Sequence, residues 1–250
     1  TFRINDTILK DEKAKWFVTF FVASIPQFAF LSSYVNNDIF AVAGSLMIVL
    51  SWVKSAKDKL NLSNSLLLAL GITVTALSYY NSYGWILFSA LFIIILYAYR
   101  KNERKNIIKF TILIAAIVIL LTGFFVVRNA IVNSGDVFGL KSLAESSEMY
   151  AVDHLKPSAR DTFKSRGLPL FSLLSDKDYV FSTERSFFAA FAYTDVLAPY
   201  FVYMIYRYVT VLGIVSFAAA LIIGLFKKEE RNFLITTIIP IFLSASSVIF

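Results

Sequence analysis

Apolar residues in this chain come in runs long enough to cross a lipid bilayer, and short charged clusters separate the runs. They cover residues 16–34, 39–53, 65–80, 84–99, 110–127, 200–226 and 232–250. A hydrocarbon core about 30 Å thick takes roughly 20 apolar residues of helix, whereas a buried core helix rarely carries more than about 14 in succession. Lipid offers no water to backbone N–H and C=O groups, so each run predicts a helix. The pattern predicts an all-α integral membrane protein with about seven transmembrane helices. The second to fourth runs are short, and their helices are expected to extend into the polar flanks.

Between the fifth and sixth runs, residues 128–199 are polar and mixed in charge, with Pro157 and Pro169. Three parts follow: 1–127 with five transmembrane helices, 128–199 as a loop domain, and 200–250 with the last two helices. Residues 140–185 suit one or two short helices and a long loop. Segment 186–197 reads as a helix lying on the membrane. Residues 186–226 also fit two spans, the first ending near Arg207, but that would leave Arg207 alone in a tight turn. A single span puts Arg207 at an interface beside Tyr200, Tyr203 and Tyr206, with Pro199 suited to the helix start. Trp16, Trp52, Tyr97 and Tyr99 are expected at one interface; Tyr34, Tyr79, Tyr80, Tyr83 and Trp85 are expected at the other.

Charge sets an orientation. The turn 54–64 carries Lys54, Lys57 and Lys59, and 100–109 carries Arg100, Lys101, Arg104, Lys105 and Lys109, while the opposing turns 35–38 and 81–83 carry no cation. Lys and Arg stay on the cytoplasmic side. The N-terminus is therefore expected in the cytoplasm, and the loop domain outside it. Segments assigned to the cytoplasm hold 15 Lys+Arg against 7 acids, whereas 128–198 holds 8 against 9. This distribution also disfavours nucleic acid as the reason for the net charge of +7. Only 16% of the 250 residues are charged against 58% hydrophobic, with a mean hydropathy of +0.68, and a soluble domain would carry about 25% charged. Cysteine is absent, which removes disulfides and thiolate metal sites. The polar opening and apolar close suggest a piece of a longer protein.

The interior of the spans holds no Asp, Glu, Lys, Arg or His, Arg207 lying at the interfacial edge of its span. Ion-coupled transporters place such groups near the midplane, so candidate chemistry lies at the outer face. Asn36-Asn37-Asp38 opens the second span, where Asp38 suits a general base, a metal ligand or a helix cap. Arg128-Asn129, directly after the fifth span, suits a lipid phosphate or a snorkelling anchor. Gly135-Asp136-Val137-Phe138-Gly139 reads as a tight loop and lacks the lysine of a phosphate cradle. His154, beside Asp153 and Lys156, reads as a solvated surface residue. Glu145 and Glu148 share a possible helix face and suit either a divalent cation or solvent. Glu184-Arg185 precedes the aromatic run Ser186-Phe187-Phe188.

The order of these motifs resembles bacterial polytopic proteins related to the GT-C glycosyltransferases, of the protein-mannosyltransferase and lipid A aminoarabinose-transferase type. The matching positions are Asn37, Asp38, Arg128, Asn129, Gly135, Asp136, Gly139, Ser186, Phe187, Phe191 and Pro199. Ala189, Ala192 and Val137 depart from the pattern. The resemblance implies a bacterial plasma-membrane protein of cell-envelope glycan synthesis. It implies sugar transfer outside the cytoplasm from a polyprenyl-phosphate-linked donor to a glycan or lipid acceptor. Asp38 would then be the catalytic carboxylate, with Asn37, Arg128, Asn129, Asp136, Arg185 and Arg207 binding substrate. No resident cofactor is expected, and divalent-metal dependence stays open. The principal acid of the class sits in the first outer loop, which in an internal piece would precede Thr1; Asp38 would then support that acid or lie on the acceptor side. Two other classes fit the same layout: a polysaccharide polymerase or ligase using Arg160 and Arg166, and a transporter or flippase of lipid-linked sugars.

Overall fold

Proline at position 26 divides the first apolar run. In a computed structural model of the chain, which describes residues 1–33, 36–159, 165–169, 172, 177–191, 196–226 and 231, the run is not one helix. Helix α1 spans Phe2–Ile8, α2 Glu12–Ala23 and α3 Pro26–Ser33, and α2 and α3 meet at 58°. The expected continuous span over 16–34 is therefore corrected. Pro26 has no N–H to return to the Val22 carbonyl, and the Ile25 N–H takes that carbonyl instead at 3.3 Å. The proline then serves as the first residue of the next helix, where its missing donor costs nothing.

Five longer helices follow: α4 Asp38–Lys57, α5 Leu62–Ser78, α6 Tyr83–Tyr99, α7 Arg104–Val132 and, after the loop region, α10 Tyr200–Phe226. Between α7 and α10 lie α8 Leu140–Tyr150 and α9 Lys177–Ala189. The chain is an all-α integral membrane protein. Among the described residues four helices are long and apolar enough to cross a bilayer, within 38–57, 80–99, 101–132 and 200–219, and the bent pair α2–α3 adds a fifth if its two halves form one broken span. Helix α5 is apolar but has 17 residues, about 25 Å at 1.5 Å per residue. The expected span at 232–250 lies outside the described residues, as do Tyr34, Arg160, Ala192, Lys227 and Lys228.

The chain divides into two compact units, residues 1–122 with 200–250, and residues 123–199. In the first, α4 and α5 form the tightest pair. Ala41, Gly44, Ile48, Ser51 and Ser55 recur at three- and four-residue spacing on α4, and Ser65, Leu68, Gly71 or Ile72, and Thr75 do so on α5; all are buried. Small residues allow two backbones to approach closely, as membrane helices require when lipid is as apolar as any side chain. The buried Ser51 hydroxyl donates to the Asn64 carbonyl at 2.7 Å, crossing this seam. Asn61 caps α5, its Oδ1 accepting the Asn64 N–H at 2.9 Å.

Trp52 is fully buried, its ring 5.4 Å from Phe92 and 6.0 Å from Trp85. Its expected place in an interfacial belt is corrected, because it lies on the same face of α4 as Ile48 and Ser55 and so turns inward. Helices α7 and α10 are the opposite case. Only 6% of their apolar windows is buried, and such all-round apolar helices suit lipid contact. Helix α10 runs unbroken past Arg207, and the Tyr206 hydroxyl donates to the Ser24 carbonyl at the α2–α3 break.

Three polar segments meet at one end of this unit. The Arg100 guanidinium donates to the Ala56 and Asp58 carbonyls, capping the C-terminus of α4, and Lys57 donates to the Thr7 carbonyl in the last turn of α1. Lys15 bridges Asp6 at 2.9 Å and Glu12 at 2.6 Å, and its hydrogen bond holds the Asp6 carboxyl below the usual range. The cation-rich turns 54–64 and 100–109 thus share an end with the first ten residues.

In the second unit the expected helix over 186–197 is also corrected. Helix α9 ends at Ala189, and strand β1, Ala190–Phe191, pairs antiparallel with strand β2, Val196–Leu197. The apolar run there is too short for its spacing to tell helix from strand. Pairing of the two backbone pieces decides it.

Candidate functional site

The seven residues proposed for chemistry divide between the two units. Asn37, Asp38 and Arg207 belong to the first, and Arg128, Asn129, Asp136 and Arg185 to the second.

At the head of α4 the capping role falls to a residue other than Asp38. The Asn36 Oδ1 accepts the Ile39 N–H at 3.1 Å, while exposed Asn37 makes no side-chain cap. Asp38 occupies the first helical turn, where backbone N–H groups favour a negative charge. Half-buried, its carboxylate has no hydrogen-bond or ion-pair partner among the described residues. The position thus carries a carboxylate that the helix does not use as its cap. Sequence alone did not separate the three neighbours, because Asn and Asp cap equally well.

Arg128-Asn129 and the Gly-Asp-Val-Phe-Gly stretch turn out to be one structure. Helix α7 continues a turn past Arg128 to Val132, so the pair sits inside the helix, not after it. It ends as the Asn133 N–H reaches the Asn129 carbonyl at 2.9 Å and the Gly135 N–H reaches the Ala130 carbonyl at 2.8 Å. That wrap places Ser134 at φ 49° and Gly135 at φ 93°, in the left-handed region that glycine adopts freely and serine does not. The buried Asn129 side chain holds the loop from below, donating Nδ2 to the Val137 carbonyl at 3.0 Å. Its Oδ1 accepts from Arg128 Nη1 at 3.3 Å, which orients an otherwise exposed guanidinium.

Asp136 begins the next helix. Its two oxygens accept the Leu140 N–H at 3.1 Å and the Ser142 N–H at 2.9 Å. These bonds, that of Ser142 first, hold its carboxyl below the usual range. A lowered value in the folded state means the cap is complete above the unfolded carboxylate value, about 3.9. It is lost as pH falls through the folded value. Asp136→Ala at neutral pH is expected to speed amide exchange at Leu140 and Ser142 while leaving α7 protected, and acidification to lower their protection relative to the intrinsic rate at that pH; hydrogen-exchange mass spectrometry reads both. Equal protection in wild type and variant would remove the capping role.

The loop borders an open polar hollow of about 590 Å³, lined in part by Asn133, Ser134, Asp136, Lys141 and Glu145. Lys141 and Glu145 lie 3.8 Å apart on α8. Glu148 is engaged elsewhere, taking the Ser158 N–H at 3.0 Å and its hydroxyl, which lower its carboxyl. The pair Glu145 and Glu148 therefore does not converge on one ion. No group of three or more His, Asp or Glu among the described residues is placed to hold a metal. His154 is exposed beside the Asp153–Lys156 ion pair, whose separation is 2.6 Å. On α9, Arg185 stacks over the Phe181 ring at 3.8 Å. On α10, Arg207 points Nη1 toward the Met204 sulfur at 3.8 Å.

A family model with the description "Predicted membrane protein (DUF2142)" matches residues 6–249. No curated protein and no solved structure matches the chain.

Proposed function

We propose, for a chain that belongs to the DUF2142 family of predicted membrane proteins, sugar transfer from a polyprenyl-phosphate-linked donor to a glycan or lipid acceptor at the outer face of a bacterial plasma membrane. The observation that carries this reading is the Asp38 carboxylate at the head of α4, relieved of capping by Asn36. As a general base it would remove the acceptor hydroxyl proton while that oxygen attacks the anomeric carbon. The bond from that carbon to the phosphate oxygen breaks in the same displacement, inverting the sugar. The lipid phosphate leaves as an anion.

Arg128 is the group proposed to hold that phosphate. Its side chain is exposed and oriented by Asn129, and a guanidinium matches phosphate oxygens through paired hydrogen bonds. Arg185, Arg207, Asn37 and Asp136 are proposed in supporting roles around donor and acceptor. The resemblance of the motif order to that of GT-C enzymes is what supports the donor class. Purified full-length protein, supplied with a radiolabelled polyprenyl-phosphate sugar and candidate acceptors, should release polyprenyl phosphate. Arg128→Ala should bind the donor about 10- to 100-fold more weakly. Wild-type donor affinity in that variant would remove the phosphate role.

The orientation belongs to the same proposal, with the N-terminus cytoplasmic and Asp38 and the 123–199 unit outside. The chain has no cysteine, so single-cysteine variants at Asn37 and Ser134 can be labelled cleanly. Both should react with an impermeant maleimide added to intact cells. Labelling from opposite faces would overturn the arrangement.

One observation favours a second reading. The break between α2 and α3 interrupts a span, and interrupted helices line transport paths in many carriers. Movement of a lipid-linked sugar across sealed vesicles without any acceptor, and without release of polyprenyl phosphate, would favour that reading over transfer.

A further inference from the structure

An apolar groove of about 240 Å³ runs between α6 and α7, lined mainly by Ile93, Ile94 and Tyr97 of one helix and Ile107, Ile108 and Ile112 of the other. Ile108 and Ile112 are 47% and 64% exposed, so the groove opens to the lipid and not into the core. One turn toward the α6–α7 connection, the same stripe of α7 becomes basic, since Arg104 and Lys105 lie four and three residues before Ile108. The connection and start of α7, residues 100–109, carry five cations and one acid.

Arg104 is held at the groove's rim. Its guanidinium carbon sits 4.7 Å from the centre of the Tyr97 ring, and its Nε donates to the Tyr97 carbonyl at 3.2 Å. Those two contacts fix the plane of the guanidinium. Its terminal nitrogens have no partner among the described residues, and Lys101 and Lys105 beside it are exposed. Arg100 is different: it is committed to the Ala56 and Asp58 carbonyls and to Glu103. A pre-oriented guanidinium at the end of a lipid-facing groove matches one chemistry, a phosphate ester attached to an acyl chain.

We propose that this hairpin is a binding site for an anionic phospholipid of the surrounding leaflet. An acyl chain lies between α6 and α7, and the phosphate rests on Arg104 with Lys105 and Lys101. Charge selects the occupant. A second copy of the chain would bring its own basic rim against this one, and like charges in contact are repelled. A zwitterionic lipid would leave the net positive rim uncompensated. The site is separate from the residues assigned to sugar transfer and does not depend on that reading.

The test uses the full chain in detergent micelles, titrated with phosphatidylglycerol or phosphatidylcholine and followed by native mass spectrometry and thermal unfolding. Phosphatidylglycerol should bind and raise the unfolding midpoint; phosphatidylcholine should do neither. Arg104→Gln with Lys105→Gln should weaken phosphatidylglycerol binding roughly tenfold or more. Lys10→Gln with Lys13→Gln makes the same charge change at other exposed positions and should leave it within about twofold. Ile112→Trp, which fills the groove without altering charge, should also weaken it, and soluble glycerol phosphate should not compete. Equal response to the two lipids, or equal loss in both double variants, would overturn the proposal. So would wild-type affinity in Ile112→Trp, or competition by glycerol phosphate at matched concentration.

Discussion

Asp38→Asn is expected to lower sugar transfer by about 10²- to 10⁴-fold, the range that a positioned general base contributes. Donor binding and folding should remain close to wild type. The structural half of this expectation comes from Asn36. Because the Asn36 Oδ1 takes the Ile39 N–H, the helix loses no cap when Asp38 is neutralised, and an amide of the same shape replaces the carboxylate. Asn36→Ala provides the opposite signature. It should cost about 1 kcal/mol of stability, as loss of a side-chain cap does, with activity falling only in proportion to folded protein. The two variants therefore separate chemistry from folding at positions two residues apart. Full turnover in Asp38→Asn, measured at saturating donor, would move the base to another carboxylate.

Gly44→Val is expected to destabilise the α4–α5 pair by about 3 kcal/mol, at the upper end of what overpacking costs. A Cβ at Gly44 would stand 2.5 Å from the Thr75 hydroxyl oxygen and 3.0 Å from both the Gly71 carbonyl oxygen and the Thr75 nitrogen. The hydroxyl can rotate away. The two backbone atoms cannot, so the helices must separate, and Ser51 would be drawn from the Asn64 carbonyl it bonds. Gly71 is confined in the same way, with the Gly44 carbonyl and the Ile48 nitrogen each 3.0 Å from its Cβ position. Gly213 on α10 and Gly123 on α7 have nothing within 4 Å of theirs. Gly213→Ala should therefore be neutral or stabilising by up to about 1 kcal/mol through helix propensity alone. Thermal and denaturant unfolding in one detergent compare the variants directly. A Gly44→Val protein as stable as Gly213→Ala would mean that the close approach is not what holds the pair.

The candidate site was legible in its residue types and not in their partners. Arg128-Asn129 and Gly135-Asp136-x-x-Gly139 stand out in the sequence as separate motifs. Only the fold shows that Asn129 binds the Val137 carbonyl and Asp136 starts α8, because those bonds depend on how α7 terminates. Asn36, Asn37 and Asp38 are chemically near-equivalent caps, and the backbone path into α4 assigns the work to the first. The α4–α5 seam did leave a signal. Ser51 and Ser55, and Gly71 and Thr75, are small residues four apart, a spacing that lets helices meet closely.

Sequence by itself determined the membrane-embedded helical class, because apolar runs of this length have no other way to satisfy their backbones in lipid. It also marked the end where cations gather, since charged heads cannot enter the hydrocarbon. Tertiary structure alone decided where Trp52 goes, which of α4 to α7 meets lipid, and how the chain leaves α9. Those outcomes turn on which neighbour fills the space beside a residue. Hydropathy records the wish of a side chain to leave water, and lipid and protein core satisfy it equally well.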